Sequence, residues 1–122
     1  MKSLRTVETE AEYQKVKSTR NSSDGCYLCE EMETVVEFKY WRIILNDFPY
    51  DTLAKVHHMI IPKEHIKESE LTPEAKDELV ELKSSYLDEN YEYLLEALTS
   101  KKSIPAHHHL HLIVTHDHYS YT

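Results

Sequence analysis

His107, His109 and His111 occupy alternate positions late in the chain, with Leu112 and Ile113 directly after them. Imidazole suits chemistry near neutral pH, because it can attack an electrophile, carry a proton or ligate a metal. In an extended strand alternate side chains leave the same face, so these imidazoles would form one row with neighbours about 7 Å apart. His108, Leu110 and Leu112 would then face the other way. A purification tag does not explain the run, since it is internal, is broken by Leu110 and continues into apolar strand sequence. His116 and His118 fall on the opposite parity, beside a tyrosine-rich end, and read as surface residues.

A strand needs neighbours, and the chain supplies them. Thr34 to Lys39, Trp41 to Leu45 and His58 to Ile61 are rich in Val, Ile and aromatic residues and read as strands. Asn46 to Asp51, with Pro49, forms part of the loop between the second and third. Thr72 is the expected N-cap of a helix, with Pro73 in its first turn and Glu74 at the positive end of its dipole. Ala75, Leu79, Leu82 and Tyr86 keep helical spacing, which predicts one amphipathic helix ending near Glu89. Tyr91 to Leu98 fits either period, and we read it as a strand whose hairpin crosses Ser100 to Pro105 into the histidine strand. Near the N-terminus, Leu4 to Ser18 reads as a charged, weakly amphipathic helix with Val7, Ala11 and Val16 as its sparse apolar positions. Ser22 to Gly25 then makes a turn.

The size and composition, 122 residues and 40% hydrophobic, fit one domain with one core, spanning 1–122 with 1–24 as an N-terminal extension. No apolar run is long enough to span a bilayer, and Met1 to Arg20 lacks the apolar centre of a signal peptide. A soluble, cytoplasmic protein is expected. The formal charge of −8 disfavours broad nucleic-acid contact, which depends on neutralising phosphates, yet it is compatible with a small phosphorylated ligand. Cys26 and Cys29 are too few and too close for a secretory disulfide framework.

Three segments share the order and spacing of a known family. Ala106-His107-His108-His109-Leu110-His111-Leu112-Ile113 resembles the histidine-triad signature. Asn46-Asp47-Phe48-Pro49-Tyr50 and His57-His58-Met59-Ile60-Ile61-Pro62-Lys63-Glu64-His65 resemble its second hallmark, a Pro-containing loop and an apolar strand ending in Ile-Pro-Lys-x-His. Cys26-Tyr27-Leu28-Cys29 is similar to the Cys-x-x-Cys of many bacterial members. The resemblance covers about Cys26 to Val114 and implies an α+β fold: a mainly antiparallel sheet, one long amphipathic helix and a short N-terminal helix.

The resemblance also implies a nucleotide hydrolase or nucleotidyl transferase, of phosphoramidase or dinucleoside-polyphosphate-hydrolase type, working through a covalent nucleotidyl-histidine. Such transfer needs an aligned nucleophile and charge stabilisation around phosphorus. His109, the middle of the row, matches the nucleophile; His111 would contact the phosphate or handle protons, and His57 would lie near the phosphate. Asn46, with Asp47 as the alternative, matches a ribose-binding position. The family usually has glycines before the triad, whereas Thr99 to Ala106 has none and Gly25 is the chain's only one. Ser103 stands where relatives carry a glutamine, and Lys101 and Lys102 could supply positive charge to a phosphate. A homodimer is common in similar proteins.

Cys26, Cys29, His65 and His107 have the ligand types and number of a closed structural zinc site. In zinc-containing relatives the histidine after Ile-Pro-x-x and the first triad histidine complete such a site. Two other readings stay open: a zinc-stabilised nucleotide-binding module without useful catalysis, and a histidine-rich protein whose triad itself holds metal.

Overall fold

The structure, a computed structural model, describes residues 4–19, 27–29, 33–101, 104 and 106–116. Helix α1 (Val7–Thr19) is followed by strands β1 (Thr34–Glu37), β2 (Trp41–Leu45) and β3 (Ala54–Pro62). Helices α2 (Pro73–Lys83) and α3 (Tyr86–Asn90) then lead to β4 (Tyr93–Leu95) and β5 (Leu110–Thr115). The strands form one five-stranded sheet in the order β1-β2-β3-β5-β4, and every neighbouring pair is antiparallel. Among the described residues no helix is long and apolar enough to cross a membrane.

The strand alternation sends two sets of side chains to opposite faces. On one, Trp41, Ile43, Ile60, Leu110 and Leu112 pack with Leu71, Ala75, Leu82 and Leu87 from the helical segment. On the other, Ile44, Met59 and Ile61 pack with Leu28. Burying each large aliphatic side chain contributes about 1.5–3 kcal/mol, so these rows hold the register. Slipping β5 by one residue would exchange its histidine face for its leucine face.

Helix α2 begins as its sequence predicts: the Thr72 side chain accepts from the Ala75 N–H at 3.1 Å, and Pro73 occupies the first turn. It is pinned to the sheet by the Trp41 indole N–H, which donates to the Ala75 carbonyl at 2.8 Å. The Glu78 carboxylate accepts from the Lys39 and Tyr40 amides in the β1–β2 turn.

The helix predicted to run to Glu89 is present as one long bent helix from Pro73 to Asn90; it bends at Ser84 and Ser85, where both hydroxyls donate to the Glu81 carbonyl and compete with the helix ladder. Three expectations change. Strand β3 starts at Ala54 rather than His58, since the end of β5 pairs that far, with Ala54 opposite Thr115. Strand β1 stops at Glu37, two residues before Lys39, where Phe38 to Tyr40 turn into β2 and the Phe38 amide donates to the Trp41 carbonyl. In α1, Val7 is 82% exposed and takes no part in docking. That helix is held by polar groups instead: the Asp51 carboxylate accepts from the Thr6 amide and from the Thr6 and Thr9 hydroxyls.

Candidate active site

Only His111 of the triad lies within a strand; β5 begins at Leu110, so His107 and His109 sit in the segment that feeds it. The expected single row is therefore bent. All three side chains are nonetheless buried, with His57. Antiparallel register sets Met59 opposite His111 and His57 opposite Ile113, which makes His57 and His111 diagonal neighbours on one face. His108 points to the other face and meets Trp41 edge to face, with ring centroids 6.0 Å apart.

The shortest hydrogen bonds at His57, from Tyr50 and to His111, set the arrangement of protons. The Tyr50 amide donates to His57 Nδ1 at 2.9 Å, so in the neutral ring the proton of His57 sits on Nε2. His57 Nε2 lies 2.8 Å from His111 Nδ1 and must donate to it. His111 then carries its proton on Nε2, 3.4 Å from the Tyr50 hydroxyl oxygen. Burial, with the Arg5 charge and the neighbouring His58 adding to it, holds the His57 pKa down to about 4. Burial again, reinforced by His57, His109 and Arg5, holds that of His111 down to about 3. Both rings are thus neutral at neutral pH.

His109 is oriented separately. Its Nδ1–H donates to the His107 carbonyl at 3.0 Å, which leaves the lone pair on Nε2. The ring stands edge to face with His111, centroids 5.4 Å apart. A neutral imidazole with one nitrogen tied to a carbonyl and the other carrying a lone pair can serve as a nucleophile.

Asn46 directly follows β2. Its side-chain oxygen accepts from the Phe48 amide at 2.8 Å, shaping the turn, and its amide nitrogen lies 3.3 and 3.5 Å from the two His57 ring nitrogens. One carbonyl lone pair thus serves the loop, while a second remains for another donor. Asp47 is exposed beside it. Ser103, Lys102 and Cys26 lie outside the described residues, as does His118. His116, expected at the surface, is half-buried and bonds through Nε2 to the Asp51 carbonyl at 2.9 Å.

A second constellation adjoins the first. Cys29 Sγ is 3.1 Å from His65 Nδ1 and 3.3 Å from His107 Nδ1, and donor atoms from all three residues lie within 4.8 Å of one another. Donors around a tetrahedral zinc stand about 3.5 Å apart, so this spacing fits a metal ion. His107 Nε2 bonds the Pro62 carbonyl at 3.0 Å, which presents Nδ1 to the cluster as a lone-pair ligand. Cys29, His65 and His107 could therefore hold a metal ion.

Two contributors carry no clear signal in the sequence. Tyr50 touches both histidines, with ring centroids 4.4 Å from His57 and 4.9 Å from His111. The Arg5 guanidinium lies 4.1 Å from the Tyr13 ring and 4.9 Å from the Tyr50 ring, and its Nε donates to the Phe48 carbonyl. Pro49-Tyr50 was visible as part of a loop motif, but Arg5 is 43 residues from the carbonyl it binds, beyond any local pattern.

No family model and no curated protein matches this chain. Solved structures do. A HIT family hydrolase from Clostridium thermocellum superposes with a TM-score of 0.57 at 21% identity, covering 82% of this chain and 98% of its own. A HIT family hydrolase from Legionella pneumophila gives 0.53 at 21% identity, over 74% of this chain and 92% of that one. A histidine triad protein from Clostridium difficile gives 0.54 at 14% identity, over 83% and 98%. The chain has the histidine-triad fold.

Proposed function

We propose that this protein is a nucleotide hydrolase or nucleotidyl transferase of the histidine-triad family, acting at the α-phosphate. The observation that carries the reading is the His109 ring, whose Nδ1–H is committed to the His107 carbonyl beside the neutral His111–His57 pair. His109 Nε2 attacks the α-phosphorus, a nitrogen–phosphorus bond forms, and the leaving group departs with the bonding pair and takes up a proton. Water or an acceptor hydroxyl then delivers its oxygen to phosphorus and loses its proton, which releases the nucleotide and restores His109. His111 assists at the phosphate indirectly, through its Nε2–H bond to the Tyr50 hydroxyl; His57 holds His111 in one tautomer, and Asn46 or Asp47 meets the ribose.

The same proposal assigns Cys29, His65 and His107, together with Cys26, to a structural zinc ion, and treats residues 1–122 as one domain of a cytoplasmic protein. When bound, the metal would tether the cysteine segment to the sheet and stiffen the chain entering β5. It would leave the chemistry to His109.

The test is turnover of a nucleoside phosphoramidate, a dinucleoside polyphosphate and a nucleotide sugar by the protein and by His109→Ala, with products resolved by phosphorus NMR. Turnover that disappears in a folded variant supports the reading and identifies the leaving group. Equal, negligible turnover in both removes the enzyme reading for these substrates and favours a nucleotide-binding module.

A further inference from the structure

Three bonds join Tyr50, His57 and His111 into a closed ring: Tyr50 amide to His57 Nδ1, His57 Nε2 to His111 Nδ1, and His111 Nε2 to the Tyr50 hydroxyl. The direction of each follows from the first. A backbone amide can only donate, so His57 Nδ1 must accept, and neutral imidazole has one donor and one acceptor nitrogen. Reversing the ring would require both nitrogens of His57 to accept, which only an imidazolate could do. The Tyr50 oxygen therefore receives a hydrogen bond from His111, and its own O–H proton must point elsewhere. Among the described residues the Tyr50 hydroxyl makes no second hydrogen bond.

We propose that the Tyr50 hydroxyl is a substrate-contacting donor that binds a non-bridging oxygen of the phosphate attacked by His109. The inference rests on the nucleotidyl-transfer reading above and extends it to a residue outside the triad. A phosphoryl group spreads charge over its equatorial oxygens, and a fixed O–H aimed at one of them stabilises that charge without reorganisation. The Arg5 guanidinium on the Tyr50 ring and the tilted His57 ring beside it hold the phenol in place. Burial keeps the phenol protonated by raising its pKa, with the Arg5 charge opposing that rise.

The same ring offers Tyr50 no proton relay through the histidines, because His57 Nδ1 already accepts from the Tyr50 amide. The donor keeps its proton, so its contribution should not depend on the leaving group.

The experiment compares wild type with Tyr50→Phe, which retains the ring contacts and the backbone amide. Substrates are a nucleoside phosphoramidate with a poor amine leaving group and a nucleoside p-nitrophenyl phosphate with a good one. Nitrogen NMR of labelled histidine reads the His57 and His111 tautomers in both proteins. The expected result is a loss in kcat/KM on the order of 100-fold, equal for the two substrates, with the tautomers unchanged. A loss below threefold, a loss confined to the poor leaving group, or scrambled tautomers would each overturn the proposal.

Absence of turnover in wild type would instead count against the parent reading. The donor is then read from binding of a nucleoside monophosphate, followed by titration calorimetry. Weakening by about tenfold in Tyr50→Phe upholds it, in line with loss of one hydrogen bond to a charged group. Equal affinity overturns it.

Discussion

His57 Nε2 and His111 Nδ1 meet at 2.8 Å inside the sheet face, from residues 54 positions apart in the chain. Because burial, with the Arg5 charge and neighbouring histidines adding to it, holds their pKa values near 4 and 3, both lie below the 6.5 of an exposed imidazole. The unfolded chain binds more protons than the folded one between those limits, so stability is full above about pH 7 and falls as pH drops below 6.5. Each ring should cost on the order of 1 kcal/mol between pH 6.5 and 5.5. Urea midpoints measured across this range check the sign; a midpoint that rose on acidification would contradict the buried neutral pair.

The Cys29–His65–His107 cluster predicts zinc-dependent stability. Stoichiometric zinc should raise the unfolding temperature, with a gain of about 2.7 kcal/mol when free zinc is a hundred times Kd. A chelator should reverse the gain, and His65→Ala should abolish it, as read by metal analysis and thermal unfolding.

Trp41 is fully buried and its indole donates to the Ala75 carbonyl, so it joins β2 to α2 by both packing and a hydrogen bond. Trp41→Ala should cost about 3–5 kcal/mol in a denaturant titration. A loss below 1 kcal/mol would mean that the sheet and helix are not coupled there.

Asp51 caps the start of α1 through Thr6 and Thr9. Asp51→Ala should loosen Val7–Thr19 by about 0.5–2 kcal/mol while α2 keeps its protection, a contrast that hydrogen exchange resolves segment by segment. Since α1 carries Tyr13, whose ring packs at a tilt against Phe48 and flanks Arg5, the same variant should loosen the loop around Tyr50.

The local periods were enough to place Trp41–Leu45 as a strand and Thr72 as a cap; of the histidines read as one strand, only His111 lies in β5. Those periods also set parity: His111 faces away from Leu110 and Leu112, as alternation requires. Tyr91 to Leu98 was ambiguous in sequence because its aromatic and leucine residues satisfy either period; pairing of Tyr93–Leu95 with Ile113–His111 made it a strand. The bend at Ser84 and Ser85 depended on hydroxyls competing for one carbonyl, a balance that propensity leaves undecided.

By itself, then, the sequence determined which side chains are capable of chemistry and which face of a strand or helix most would occupy, because both follow from side-chain type and local period. Only the tertiary structure decided what those residues meet. The register of β3 on β5 brings His57 against His111, and the docking of α1 brings Arg5 over Tyr50. The fold of the chain onto Pro62 turns His107 toward Cys29 and His65. The His109 proton is set by the nearby His107 carbonyl, but the proton positions of His57 and His111 and the ligand set depend on contacts 7 to 78 residues apart, and no local pattern encodes a distance of that kind.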